Sequence, residues 1–252
     1  MEKCREADIK KLLSENAAAV ETELEKDLKT PDAALETLYS SMRYSALGGG
    51  KRIRAFLVMQ FCRLFGGMDA SAMPFACAIE CVHASSLVHD DMPCMDNDDY
   101  RRGKLTNHKV YGEDIALLCG DALITKGYEL ASENAFVEPK AALSATNMLL
   151  VCAGALGMMG GQEIDLLGEK KAPDFKLLLK MHNKKTGALM RASALLGCHA
   201  AGLYISSDKR LHDAAKYATG IGLAFQIIDD ILDVEGDALV DDGRADLGET
   251  VH

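Results

Sequence analysis

Residues 71–99 read SAMPFACAIECVHASSLVHDDMPCMDNDD and decide the fold of this 252-residue chain. Small and apolar side chains dominate up to His89, and five aspartates follow within the next ten positions. A helix that is apolar on most of its faces is typical of a core rather than of a surface. The pattern therefore predicts a buried helix over residues 71–92 that ends in a group of carboxylates.

Asp90 and Asp96 are six residues apart, which a continuous helix would place roughly 240° apart around its axis. The two carboxylates could share a metal ion only if the helix ends or kinks between them. Pro93 supplies such a break, because proline disfavours the helical conformation of the residue before it. We therefore predict that Asp90 and Asp96 face one site.

Two arginines, Arg101 and Arg102, follow these carboxylates. A calcium loop counted from Asp96 would need a glycine at position 101, so the EF-hand interpretation fails. Arginine guanidinium groups instead bind phosphate oxygens through paired hydrogen bonds. Carboxylates, a cation between them and arginines at the rim together predict a diphosphate site.

A second aspartate group lies in the run GLAFQIIDDILD over residues 222–233. Asp229 and Asp233 are four residues apart, so their side chains share one helix face, and Asp230 lies beside them. Crowded carboxylates in apolar surroundings resist ionisation unless a cation lies between them. Mg²⁺ suits such a group, because it takes carboxylate oxygens, water and substrate phosphate oxygens.

A basic group follows glycines in the run GGGKRIR over residues 48–54. The free N–H groups at a helix start favour anions, and Lys51 and Arg54 add positive charge. The spacing is not that of a P-loop, which needs Gly-x-x-x-x-Gly-Lys-Ser/Thr. His83 lies two helical turns before Asp90 on the same side, although a lone helical histidine is more often a core residue.

The rest of the chain also favours helices. Proline and glycine breaks divide it into segments, and no run keeps the period-two alternation of a strand. The predicted helices cover 5–28, a segment from Thr30-Pro31-Asp32 to Gly48, 52–65, 71–92, 112–133, 138–160, 173–201 and 207–235. We therefore predict a single all-α domain.

Composition argues against several classes of protein. The formal net charge is −10, whereas a nucleic-acid-binding protein needs a cationic face. Residues 1–8 lack the apolar core of a signal peptide. The eight cysteines lack metal-ligand spacing, and we interpret them as core residues of a protein in the reducing cytoplasm. The uncharged stretch 141–161 is long enough to span a bilayer, but its glycines and polar residues favour a buried bundle helix, so we expect no membrane span.

Together these motifs closely resemble the trans-isoprenyl diphosphate synthases, the polyprenyl synthetase family that includes farnesyl and geranylgeranyl diphosphate synthases. The likeness follows the family's order over roughly residues 35–237. It consists of the runs GGKRIR (49–54), ECVH (80–83), the block 89–103, GDAL (120–123), GQEIDL (161–166), KTGAL (185–189) and the block 222–233.

The resemblance implies a homodimer of all-α bundles, each around a central cavity. It also implies an enzyme that uses three Mg²⁺ ions to ionise an allylic diphosphate, such as the dimethylallyl, geranyl or farnesyl compound, and adds isopentenyl diphosphate to the cation. The implied metal ligands are Asp90, Asp96 and Asp229, with Asp91, Asp230 and Asp233 as further ligands or support. The allylic substrate would contact Arg101, Lys185, Thr186 and Gln226. Isopentenyl diphosphate would contact Lys51, Arg54, His83 and Arg102.

Product length in this family depends on what closes the apolar tunnel below the first aspartate motif. Ser85 and Ser86 lie about one helical turn before Asp90. Family members that stop at farnesyl typically carry an aromatic residue at the position of Ser85. A serine leaves room, so we expect the twenty-carbon geranylgeranyl product rather than farnesyl, unless Val82 or Met42 closes the tunnel instead.

After Asp233 the likeness weakens. The family continues with a lysine-bearing loop and further helices, whereas no lysine follows Asp237 in this sequence. We therefore expect residues 1–252 to form one prenyltransferase domain that lacks the family's C-terminal helices. One alternative is a non-catalytic or partner-dependent subunit. Another is a class I terpene cyclase, but the second motif of cyclases is absent and a cyclase needs no site for a second diphosphate.

Overall fold

The computed structural model describes the backbone of residues 6–170 and 174–241, with the side chains of 7–168, 174–228 and 231. This part of the chain is helical apart from one short hairpin, which confirms the predicted all-α class. The helices are α1 (Glu6–Asp27), α2 (Glu36–Ala46), α3 (Ile53–Leu64), α4 (Asp69–Asp90), α5 (Asn107–Tyr111), α6 (Glu113–Ser132), α7 (Pro139–Ala153), α8 (Met158–Lys170), α9 (Phe175–Lys185), α10 (Gly187–Ala200) and α11 (Lys209–Asp241). A 3₁₀ turn covers Ala33–Leu35.

Helix α4 lies at the centre of the bundle and packs against α3, α6 and α10. Its buried side chains occur on every face and include Phe75, Ile79 and Val82, none of which is exposed. Small residues on the neighbouring helices allow this close packing. A Cβ atom on Gly127 of α6, for example, would lie 2.7 Å from the Val82 side chain. The uncharged sequence of α4 therefore reflects its burial on all sides.

The C-terminal end of α4 agrees with the predicted break. The helix ends at Asp90, three residues before Pro93, and the chain then turns back on itself. The Asp96 backbone N–H donates to the Asp90 carbonyl at 2.9 Å and closes the turn. The prediction that the helix ends between the two aspartates is confirmed.

The segment predicted as one helix over residues 138–160 was predicted wrongly. It forms α7 and the start of α8, and the break falls at residues 154–157 rather than at Gly160 and Gly161. Both glycines lie inside α8 because α8 is packed closely there. A Cβ atom on Gly161 would lie 2.2 Å from the backbone nitrogen of Lys185.

The segment predicted as one helix over residues 173–201 also divides. Helix α9 begins after Asp174, whose side chain accepts a hydrogen bond from the Leu177 N–H at 2.8 Å. The break between α9 and α10 falls at Thr186, whose hydroxyl donates to Gln226 of α11 at 2.8 Å. Gly187 directly follows this break, so a local signal and the tertiary contact with Gln226 coincide there.

The hairpin of β1 (Tyr100–Arg101) and β2 (Lys104–Leu105) and the short helix α5 were not predicted. Arg102 and Gly103 have φ values of 52° and 71°, which allow the tight turn. The Thr106 hydroxyl donates to the Asp98 carbonyl at 2.7 Å, and the Tyr44 hydroxyl donates to the Leu105 carbonyl at 2.7 Å. These contacts fold the two arginines back toward the end of α4.

Two described stretches, Asp69–Asp90 and Pro139–Gly168, are long and apolar enough to cross a membrane by length and composition alone. The most apolar window of the first is 72% buried in the protein, and that of the second is 44% buried. The second stretch is interrupted at residues 154–157, between α7 and α8. Core helices of soluble proteins pass the same test, so this finding is weak support for a membrane span.

Candidate active site

A cavity of about 1230 Å³ opens beside the C-terminal half of α4. The start of α3, the hairpin, α6, α8, the α9–α10 junction and α11 form its other walls. The cavity brings together most of the predicted site residues that the structure describes. They are Lys51, Arg54, His83, Ser85, Ser86, Asp90, Asp96, Arg101, Arg102, Lys185, Thr186 and Gln226.

The first aspartate motif divides into two environments. Asp90 and Asp96 line the cavity, whereas Asp91 is only 4% exposed and turns toward Arg101. The Arg101 Nε and Nη2 atoms lie 2.7 Å and 2.6 Å from Oδ1 of Asp91. Asp91 thus orients Arg101 at the rim of the cavity, and the two carboxylates left facing the cavity are those of Asp90 and Asp96.

The environment of Asp90 fits a bound cation. The pKa of Asp90 is raised to about 6, mainly by burial; the nearby negative charge of Asp96 contributes to the increase, whereas Lys185 and Arg101 oppose it. A carboxylate that resists ionisation beside a second carboxylate is stabilised by a cation between the two. Mg²⁺ is commonly held by one or two carboxylates together with substrate phosphates and water, so the pair fits Mg²⁺.

A complete metal site is not formed by the described side chains alone. Among them, no group of three histidine, cysteine, aspartate or glutamate residues is placed to hold a metal ion. The predicted ligands Asp229, Asp230 and Asp233 lie on the backbone of α11, and their side chains lie outside the described part. Their ligand roles stay predictions.

A second polar group lies at the start of α3 and on α4. Arg54 Nη1 lies 3.1 Å from His83 Nε2. Burial and the neighbouring Arg54 hold the pKa of His83 well below its usual range, so the imidazole is neutral and accepts from the guanidinium. Arg102 donates to the Gly49 carbonyl, and Lys51 is exposed at the cavity wall.

A third group lies at the α9–α10 junction. Lys185 Nζ is 2.5 Å from Asp165 Oδ2 of α8, and the Thr186 hydroxyl is bonded to Gln226. The resemblance assigned no role to Asp165, but Asp165 directly orients the predicted substrate ligand Lys185. A signal existed in the sequence, because Gly161 and Asp165 are four apart and therefore share the helix face that packs on Lys185.

Two further polar groups at the cavity were not singled out from the sequence. His89 Nε2 lies 3.2 Å from the Leu117 carbonyl and 3.8 Å from Asp121 Oδ1. Gly120 permits this approach, because a Cβ atom there would lie 2.0 Å from His89 Nε2. Arg52 and Glu80 form a buried ion pair at the wall of the cavity. These residues lie within the runs that carry the family resemblance, and the tertiary contacts show how they pair.

Part of the cavity wall is apolar. Leu117, Ile124, Met158 and Leu189 contribute to this part. Ser85 is 2% exposed, and its hydroxyl donates to the Val82 carbonyl at 2.8 Å. Val82 and Met42, which the sequence left open as closing residues, are buried in the core and are not part of the cavity wall.

An all-α bundle with carboxylates and guanidinium groups around one cavity is the arrangement that the sequence motifs predicted. The sequence profile of the polyprenyl synthetases matches residues 35–249, and the chain belongs to that family. This confirms the family resemblance inferred from the motifs.

Named relatives support the same family assignment. The dimethylallyltranstransferase of Fischerella ambigua (strain UTEX 1903) is 46% identical over 224 residues, which cover 88% of this chain and 63% of that protein. The chloroplastic geranylgeranyl pyrophosphate synthase 3 of Arabidopsis thaliana is 44% identical over 90% of this chain and 63% of its own length. The chain thus spans less than two thirds of the length of these relatives.

Solved structures show the same architecture. An FPP/GFPP synthase from Zymomonas mobilis superposes with a TM-score of 0.85 at 38% identity, covering 90% of this chain and 82% of that one. A geranyltransferase from Legionella pneumophila superposes with a TM-score of 0.82 at 31% identity, covering 90% of this chain and 80% of that one.

Proposed function

We propose that this protein is a short-chain trans-prenyltransferase that joins isopentenyl diphosphate to an allylic diphosphate and releases inorganic diphosphate. The observation that carries the proposal is one cavity with two separate groups for binding diphosphate. One group combines Asp90 and Asp96 with nearby Lys185, and the other combines Arg54 with His83. The names of the matched relatives, a dimethylallyltranstransferase and a geranylgeranyl pyrophosphate synthase, support this assignment.

When bound, Mg²⁺ would neutralise charge on the departing diphosphate, so that the allylic carbon–oxygen bond can break. Asp90 and Asp96 would hold this metal, and the proposed set of three ions would be completed by Asp229, Asp230 and Asp233. Lys185 and Arg101 supply fixed positive charge at the same end of the cavity, where it stabilises the leaving diphosphate.

The second substrate would bind at the other group. Arg54, Lys51 and Arg102 would neutralise the diphosphate of isopentenyl diphosphate, and the neutral His83 ring has an N–H group free to donate to it once Nε2 accepts from Arg54. The substrate double bond then forms the new carbon–carbon bond with the allylic cation, and the proton that is lost passes to the departing diphosphate. The apolar walls exclude water, which would quench the cation.

The test is incubation with isopentenyl diphosphate, Mg²⁺ and each allylic primer in turn, with the products identified by mass. We expect a condensation product that disappears when Mg²⁺ is chelated or when Asp90→Asn is introduced. No product with any primer would contradict the proposal. If a partner subunit then restored the product, the partner-dependent alternative would replace it, and a cyclised terpene made without isopentenyl diphosphate would indicate a terpene cyclase.

We also propose geranylgeranyl diphosphate as the main product, since Ser85 and Ser86 both line the cavity and leave its apolar part open below Asp90. Both hydroxyls are bonded to backbone carbonyls of α4, Ser85 to Val82 and Ser86 to His83. Neither hydroxyl therefore needs water, and the wall is suited to a hydrocarbon chain.

A homodimer is proposed through adjacent faces of α6 and α7. These helices pack together and expose Leu118, Leu143, Leu150 and Val151, with Leu143 71% exposed. A second copy would cover this apolar patch symmetrically. Sedimentation should give a dimer for the native chain and a monomer for Leu143→Glu, whereas a monomeric native chain would contradict the proposal.

A cytoplasmic location is proposed on the basis of the free cysteines, most of which are buried.

A further inference from the structure

The run of residues 49–54, which carries Lys51 and Arg54, has an unusual backbone. Gly49, Gly50 and Arg52 have φ values of 84°, 117° and 49°. Glycine adopts such conformations easily, but a residue with a Cβ atom does so at a cost in free energy. Arg52 must therefore be held in this conformation by its surroundings.

The side chain of Arg52 is held on three sides. It is 4% exposed, and its Nη1 atom donates to Oε2 of Glu80 at 3.2 Å. Its Nε and Nη2 atoms donate to Oε1 of Glu21 at 3.3 Å and 3.0 Å, and Nη2 also donates to the Ala46 carbonyl at 2.6 Å. A guanidinium group has five N–H donors, so most of its hydrogen-bonding capacity is used inside the protein rather than on a ligand.

Glu80 connects this arginine to the first turn of α3. The Glu80 side chain is 3% exposed, and its Oε1 atom accepts from the Ala55 backbone N–H at 3.0 Å. That N–H has no partner within the helix, because it belongs to the first turn. Glu80 therefore caps α3 directly after Arg54, and it lies one turn before His83 on α4.

Glu80 also supplies negative charge where positive charge is buried. Burial lowers the pKa of both Arg54 and Arg102, and in each case the nearby charge of Glu80 opposes the shift. Several guanidinium groups can therefore stay charged beside one another. Glu21 contributes from a different direction, because it lies on α1, which packs against α3 and α4.

We propose that Glu21, Arg52 and Glu80 form a positioning network for the isopentenyl diphosphate subsite, through which helix α1 holds the run of residues 49–54 that carries Lys51 and Arg54. The three residues act on the substrate only through this run. The inference rests on the proposed function for the identity of the ligand.

The test compares Glu80→Gln and Glu21→Gln, each of which removes a charge and keeps the shape. We expect the KM for isopentenyl diphosphate to rise about tenfold in Glu80→Gln, the size typical of residues that orient a ligand-binding group, and by less in Glu21→Gln. The KM for the allylic diphosphate and kcat should stay near those of the native protein. Glu25→Gln is the matched control, because Glu25 is an exposed acid on the same helix and should leave all constants unchanged.

A role in overall stability alone would give a different result. Equal increases in both KM values, or a lower melting temperature with both KM values unchanged, would overturn the proposal. If Glu80→Gln does not fold, Glu21→Gln decides, because the Glu21 side chain is 38% exposed and its substitution leaves the core intact.

Calorimetric titration with isopentenyl diphosphate makes the same comparison without turnover. Weaker binding in Glu80→Gln than in Glu25→Gln supports the network, and equal affinity overturns it. Absence of product from the native protein would instead count against the proposed function. The two failures are therefore distinguishable.

Discussion

At the scale of single residues, Ser85 makes the most specific prediction about the product. It is buried in α4, lines the cavity and lies five residues before Asp90. We expect Ser85→Tyr to shorten the main product, because an aromatic ring would fill space that the growing chain needs. Mass analysis of products from a fixed primer measures the change.

The matched variant is Ser85→Ala, which removes only the hydrogen bond to the Val82 carbonyl. Its product should have the native length. An unchanged product in Ser85→Tyr would show that other residues of the apolar wall, such as Met158 or Ile124, set the length.

Neighbouring side chains of the same type can also have different environments. Asp90 and Asp91 are adjacent and chemically identical, yet one faces the cavity and the other is bonded to Arg101. The family resemblance implied Asp90 as a metal ligand and Asp91 as a further ligand or support, and the bond between Asp91 and Arg101 was not predicted. Adjacent residues on a helix point about 100° apart around its axis, so the Asp90 and Asp91 side chains at the end of α4 meet different surroundings.

At the scale of helices, glycines determine how closely the elements approach. Gly161 lies inside α8 against the backbone of Lys185, whereas Gly220 lies inside α11 with no atom within 4 Å of the position of its Cβ. Gly161→Ala should destabilise the protein by about 1–3 kcal/mol, because the added methyl group meets backbone that cannot move aside easily. Gly220→Ala should stabilise it by about 0.4–1 kcal/mol by restricting the unfolded chain.

Urea denaturation of the two variants measures both effects. The substitution is the same and both sites are helical, so the contrast isolates the packing at Gly161. Equal changes in the free energy of unfolding would contradict the close α8–α9 contact. A loss of allylic substrate binding in Gly161→Ala would further show that this contact positions Lys185.

At the scale of the whole molecule, buried histidines make stability depend on pH. His199 is 4% exposed, donates from Nδ1 to the Leu195 carbonyl and accepts at Nε2 from Ser144 of α7. Burial lowers the pKa of His199, so the unfolded chain binds this proton at a higher pH than the folded protein does. The stability that the neutral His199 side chain contributes is fully present above about pH 6.5, the pKa of histidine in the unfolded chain. It is lost as the pH falls through the pKa of His199 in the folded protein.

Denaturation of the native chain and of His199→Gln between pH 8 and pH 5 tests this sign. We expect the variant to lose less stability than the native chain on acidification. The comparison must be between variants, because the partly buried Asp27 and Asp90 have raised pKa values and act in the opposite direction. His212→Gln is the control, since His212 is exposed, and equal pH dependence in all three proteins would refute the role of His199.

Local signals along the sequence were sufficient to establish the helical class, the approximate span of most helices and the motifs that form the cavity. Apolar periodicity, prolines and charged clusters are local signals, and the end of α4 before Pro93 follows from steric rules that act between adjacent residues. The family resemblance then implied the substrates and the metal.

The tertiary structure established how these pieces meet. The breaks at residues 154–157 and at Thr186 adjoin glycines that the predicted helix bounds passed over. The Thr186–Gln226 hydrogen bond, the Lys185–Asp165 pair and the Glu21–Arg52–Glu80 network join distant parts of the chain. Such contacts are selected by packing and by the need to compensate buried charge. Neither requirement can be read from the spacing of residues along the sequence.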